Sequence, residues 1–255
     1  MPRIYRPVID VDCPIKPDEH IAGLESIPEL FEGTGDLQRR CDHIKKEIVS
    51  ASSPCGTYKF FNPAPCTLPP DYTEPAIKLV GTMSVLHGEA VYNKLRKATH
   101  CVLMGACLGP SFDEDDLKKK LVHDEIDAAI FSKTIEALVA HTANVVNAEI
   151  VKSALEEGCY TDDYLGYSES NGFPLESVSD ILFYMKGEER LGMHVTEEGK
   201  LGLSCPGTIG IVAVFDPDKG PKRSCGLCKF RDFCSIRSIG MTCHGKTGAF
   251  KREDT

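Results

Sequence analysis

The sequence has no tryptophan, and aromatic residues make up only 7% of it, so any core has to be built mainly from Val, Ile, Leu, Ala and Met. It also has no long apolar run. The longest uncharged apolar stretch, Leu201 to Phe215, is 15 residues and is interrupted by Gly and Pro, short of the roughly 18 that suggest a membrane span. The opening MPRIYRPVIDVDC has two arginines but no continuous apolar segment and no small-residue cleavage site behind one, so a cytoplasmic protein without a membrane partner is expected. In that compartment the twelve cysteines stay largely reduced, and their clustering points to metal or thiol chemistry rather than a disulfide framework.

What is present is a hydrophobic content of 42% in 255 residues, enough for a substantial core. The net charge of −9 is unevenly divided: from Lys219 onward the chain is +6, and the preceding 218 residues carry −15. A basic tail on an acidic body suggests a docking surface for an acidic partner, or attraction of the tail to its own body. Nucleic acid is disfavoured, because the body repels a phosphate backbone and only Phe230 and Phe233 interleave the basic residues.

Three regions follow. Residues 1–75 hold eleven prolines and read as an irregular wrapping arm with one short helix, Leu37 to Ile48, for which Asp36 is a candidate N-cap. Cys13, Cys41, Cys55 and Cys66 are scattered singly through this arm and read as small buried hydrophobes. Residues 76–218 read as an α+β core. It starts with a helix from about Met83 to Lys97 and continues in a buried strand within THCVLMGACLG. An acidic turn, Asp113 to Asp116, leads to a long central helix from Leu117 to Glu157, free of Gly and Pro and ended by Gly158. A helix from Leu175 to Met185 behind Pro174 comes next. A hairpin, Leu191 to Thr196 and Lys200 to Ser204 around Glu-Glu-Gly, precedes a last strand, Thr208 to Phe215. Residues 219–255 form the basic, cysteine-rich tail.

In that tail Cys225, Cys228, Cys234 and Cys243 supply a CxxC pair and two further thiols. One tight turn can present two thiolates to a single metal or cluster edge, and the other two close a four-sulfur shell. Cys205, in the Ser-Cys-Pro-Gly turn, competes with Cys243 for the fourth place. Structural zinc and an iron–sulfur cluster both fit this spacing. Gly240 to Thr247 matches a phosphate-loop pattern, but only eight residues follow it and Gly248 interrupts them, so the helix that would meet phosphates is missing. His100 is adjacent to Cys101, and neighbours on a strand point to opposite faces, so that pair is not a nucleophile and its base.

The order of HCVLMGACLG, the long helix, GYSESNGFPLESVSDILFYM, ERLGMHVTEEGKLGLSCPGTIGI and SCGLCKFRDFC resembles the activation domain of cobalamin-dependent methionine synthase, over residues 80 to 238, and more closely the stand-alone bacterial proteins of that family. The resemblance implies a bent antiparallel sheet with a long central helix. It also implies a domain that binds S-adenosylmethionine and presents it to a cobalamin protein while a donor reduces the cobalt. Gly166 and Tyr167 match the family's Gly-Tyr turn, followed by Phe173, Pro174, Leu175 and Glu176. The family's Arg five residues before that Tyr falls on Asp162 here, which predicts weak or absent S-adenosylmethionine binding, since an acid replaces the partner of the methionine carboxylate. The resemblance also favours an iron–sulfur cluster, of the 4Fe-4S type, over zinc. It implies an accessory protein that passes an electron to a corrinoid protein or a corrinoid-dependent methyltransferase. The alternatives are a zinc-stapled binding module and a metal-dependent methyltransferase component.

Overall fold

The structure, a computed structural model, describes residues 7–16, 21, 36–66 and 74–218. In chain order the elements are β1 (Ile9–Asp12), α1 (Leu37–Ala51), β2 (Cys55–Pro65), β3 (Ala76–Val80), β4 (Val85–His87), α2 (Glu89–Leu95) and β5 (His100–Cys107). Then follow α3 (Glu114–Leu121), α4 (Glu125–Glu156), β6 (Tyr160–Thr161), β7 (Leu165–Gly166), a 3-10 turn at Leu175–Ser177, α5 (Val178–Met185), α6 (Gly187–Leu191), β8 (Met193–Val195), β9 (Leu201–Leu203) and β10 (Gly207–Phe215). This is the expected α+β class: a curled antiparallel sheet with one long helix.

Among the described residues the sheet has eight strands, ordered β4-β3-β2-β5-β10-β6, with β1 alongside the start of β2 and β7 alongside β10. β5 lies between β2 and β10 and is buried on both faces. Cys101, Leu103 and Cys107 join a core shared with α1, α2, α5 and α6, while Val102, Met104 and Ala106 face the second half of α4. Burial on both sides is why this strand reads as a continuous apolar run rather than an alternation.

The described part of the first 75 residues is not the irregular arm expected from their prolines. β2 is an inner strand of the sheet, and α1 packs Leu37, Cys41, Ile44 and Ile48 into the core. The prolines are accommodated by register: β2 pairs with β5 only through Phe61, and Pro63 and Pro65 lie beyond it, opposite Leu79 and Ile77 of β3, where one edge needs no donor. α1 starts at the expected place, although the Asp36 side chain makes no capping bond.

Two helices also differ from expectation. The stretch from Met83 contains β4 before α2 begins. The Leu117 to Glu157 helix is divided: Asp113 to Asp116, expected as a turn, opens α3, and the chain breaks at residues 122–124 before α4. The Asp124 carboxylate accepts from the Asp127 N–H at 2.8 Å and caps α4. Arg40 of α1 donates to Asp127 at 2.8 Å and also pairs with Asp124. A capped start tied to a neighbouring helix therefore interrupts a sequence that has no Gly or Pro. Gly158 ends α4 as expected, with φ +74° and its N–H on Leu155 O at 2.9 Å. The β8–β9 hairpin, the Leu175 to Met185 helix and the last strand lie where expected, and α6 is an addition.

Candidate functional site

The Gly166–Tyr167 turn is fixed to the sheet from below. Gly166 faces Gly210 of β10, and the Tyr167 N–H donates to Ile209 O at 2.8 Å. Asn171 closes the turn by donating from Nδ2 to Gly166 O at 2.8 Å and accepting from the Phe173 N–H at 3.1 Å. The Tyr164 ring lies 3.1 Å from where a Gly166 Cβ would be, so any other residue would displace it. The Tyr167 ring stands edge-on to buried Phe173, with centroids 5.5 Å apart, and its hydroxyl accepts from the Leu201 N–H of β9 at 3.5 Å. Tyr167 stays partly exposed. The turn is thus a braced, solvent-facing ledge between the main sheet and the β8–β9 hairpin.

Asp162 does not face this ledge as an isolated acid. Lys94, at the end of α2, donates to its Oδ1 at 2.8 Å and also to Asp163 O, and the Ala213 N–H donates to the same carboxylate at 3.3 Å. Burial still raises its pKa above the usual carboxylate value, against the pull of Lys94. The acid expected to repel a ligand carboxylate is thus itself paired with a cation that is only 13% exposed. No local pattern could have found Lys94, which is 68 residues away from Asp162 in sequence.

At the opposite end of β5 three thiols meet. Cys55 of β2 faces Cys107 of β5 in register, with sulfurs 3.7 Å apart, and Cys205 lies two residues before Gly207, which faces Cys107 from β10. Cys205 is 3% exposed and donates to Leu191 O at 3.5 Å. The neighbouring Cys107 thiol lowers the Cys205 pKa, while Cys205 in turn raises Cys107 to about 12. The bond to Cys107 and burial raise Cys55 as well. Cys205 borders a cavity of about 560 Å³ between the start of α3 and the segment entering β10, lined also by Asp113, Glu114, Asp115, Ser204 and Pro206.

Cys13 and Cys41 are buried singly as expected, whereas Cys55 and Cys66 are only partly buried. Cys101 and His100 do lie on opposite faces: Cys101 is in one core, and His100 stands edge-on to Phe60 on the other side. Cys225, Cys228, Cys234, Cys243 and the Gly240 to Thr247 stretch lie outside the described residues. Among the described residues, no group of three or more His, Cys, Asp or Glu is arranged to hold a metal ion, and no helix is long and apolar enough to cross a membrane.

No family model and no curated protein matches the chain. Among solved structures it is similar to the MetH reactivation domain, whose crystal structure was determined bound to AdoHcy. The likeness covers 92% of this chain and 86% of that one at 12% identity, with a TM-score of 0.53. It extends beyond the residues 80 to 238 that carry the sequence resemblance, which fits the place of β2 and α1 inside the sheet and core. The chain is therefore a structural relative of the MetH reactivation domain, sharing its fold.

Proposed function

We propose that the protein is an activation module for corrinoid-dependent methyl transfer. It holds an adenosyl sulfur ligand on the Gly166–Tyr167 ledge and docks a corrinoid protein. The observation that carries this reading is the fold likeness to a domain crystallised with AdoHcy. The residues present fit such a ligand: the ledge is braced by Asn171 and Phe173, Tyr167 is partly exposed, and Lys94 offsets the one acid in the position where the resemblance expects an arginine. A bound S-adenosylmethionine would supply the methyl group. The chain's part is to orient the ligand against Tyr167 and to keep Asp162 from opposing its carboxylate.

The tail is assigned to electron delivery. Cys225, Cys228, Cys234 and Cys243 would hold an iron–sulfur cluster, which supplies single electrons. Cys243 is preferred to Cys205 as the fourth ligand, because Cys243 shares the tail sequence with Cys225, Cys228 and Cys234, whereas Cys205 lies between β9 and β10. The spacing alone equally suits zinc, but a redox centre matches an activation role better than a staple does.

Calorimetry with S-adenosylhomocysteine tests the ligand site. Binding is expected for the parent, weakened at least about tenfold in Tyr167→Ala, a loss of about 1.4 kcal/mol. No heat of binding for the parent at millimolar ligand, with the fold intact, would remove the adenosyl ligand from this reading.

A further inference from the structure

We propose that Cys205, Cys107 and Cys55 form a thiol–disulfide exchange site, reached through the cavity beside α3 and suited to small cationic disulfides. The three belong to three separate strand ends that the topology brings together. Cys107 ends β5, Cys55 opens β2 directly opposite it, and Cys205 lies two residues before Gly207, which faces Cys107 from β10. Facing residues of antiparallel strands have Cα atoms about 4.5–5.5 Å apart, inside the span of about 4.4–6.8 Å that a disulfide bridges. With the Cys55 and Cys107 sulfurs already 3.7 Å apart, bond formation needs side-chain rotation and no strand movement. Gly207 makes the close approach possible, since a Cβ there would lie 2.9 Å from the Cys107 Cβ.

Cys107 is the middle member, with the Cys55 sulfur 3.7 Å away on one side and the segment that carries Cys205 opposite it on the other, and Cys205 is the one that borders the cavity. The Cys205 thiolate attacks one sulfur of an external disulfide. A mixed disulfide forms, the external S–S bond breaks, and one thiol leaves after taking a proton from solvent. Cys107 then attacks the Cys205 sulfur, passing its proton to the second departing thiol and closing a Cys107–Cys205 bond. Cys55 exchanges in the same way onto Cys107 and frees Cys205. Two protein thiols are oxidised and one external disulfide is reduced to two thiols, with no other oxidant required. Asp113, Glu114 and Asp115 on the cavity wall favour a disulfide with ammonium groups over an anionic one. The site is independent of the Gly166–Tyr167 ledge, and neither residue borders the cavity.

The test treats the reduced full chain with cystamine, quenches it by alkylation and maps the tryptic peptides 47–59, 98–118 and 201–219, which carry Cys55, Cys101 with Cys107, and Cys205 respectively, fragmentation of the second telling its two cysteines apart. The expected product is a cross-link from Cys107 to Cys205 or Cys55, formed faster with cystamine than with the anionic glutathione disulfide. Cys205→Ser should slow it about tenfold or more, and Cys107→Ser should leave one cysteamine trapped on Cys205 as a mixed disulfide. If Cys107→Ser fails to fold, Cys55→Ser serves instead and should retain the Cys107–Cys205 link. A Cys107 that remains fully alkylatable while tail cysteines oxidise, or a parental rate in Cys205→Ser, would overturn the proposal.

Discussion

Asp162 shows how a single residue changes meaning between sequence and structure. In the sequence it stands where the resemblance expects an arginine, and its charge argues against a ligand carboxylate. In the structure Lys94 occupies it, an interaction made across 68 residues and carried by no periodicity or motif. The grouping of Cys55, Cys107 and Cys205 was hidden for the same reason, since Cys205 reads as a candidate partner of the tail cysteines and only strand register brings the three segments together. Gly166, Tyr167 and Phe173, by contrast, lie within one short local motif, and the structure keeps them together in one turn. Replacing Lys94 by Gln should weaken S-adenosylhomocysteine binding and cost about 1 kcal/mol of stability, a figure kept small because Asp162 is 41% exposed and screened. It should also raise the Asp162 pKa further above its unfolded value. The folded variant then retains a proton that the unfolded chain releases, so its stability relative to the parent falls as pH rises from about 4 through the folded value. Urea midpoints of the two proteins measured across that range check this, and parallel pH profiles would place Asp162 outside the influence of Lys94.

At the scale of elements, sequence reading succeeded where packing and local chemistry agree. β5 and β10 are apolar because both faces are covered, and Glu-Glu-Gly sits in a hairpin turn whose strands lie on either side. It failed at β2, because prolines argue against an inner strand unless it is known that β5 has already ended. It failed again at the α3–α4 break, where the available signal was Asp124 with Asp127 three residues on, a capping pattern that a search for Gly and Pro passes over. The position of α4 over the sheet depends on Gly56, where an added Cβ would lie 2.2 Å from Val146 Cγ2 and 2.7 Å from Gly105 O. Neither atom belongs to a flexible side-chain end, so Gly56→Ala should destabilise the protein by about 1–3 kcal/mol. Its urea midpoint should drop accordingly, with an unchanged slope. A midpoint equal to the parent's would mean that α4 is free to shift at this point.

For the whole molecule, the charge division between an acidic body and a tail of +6 was legible from composition, and the α+β class from the order of the expected helices and strands. The path by which the sheet curls was not, since it arises from β2 and β10 each exchanging partners along their length. In the proposed arrangement the tail joins two tasks, holding the redox centre and meeting an acidic partner. Protein purified without oxygen should be brown and contain iron, and Cys225→Ser or Cys228→Ser should lose both properties. Stoichiometric zinc without iron would assign the tail to a structural role. Electron delivery to a corrinoid is the central claim, and it is tested most directly by following cobalt reduction optically in a corrinoid protein from the same source, under chemical reductant, with and without this chain. The account predicts faster loss of the cobalt(II) spectrum when the chain is present. The effect should weaken steeply as salt rises, because screening reaches about 8 Å at physiological ionic strength, and it should fall in a variant with Lys229, Arg231 and Arg237 replaced by Gln. Equal rates with and without the chain, at low salt and with its metal retained, would contradict it.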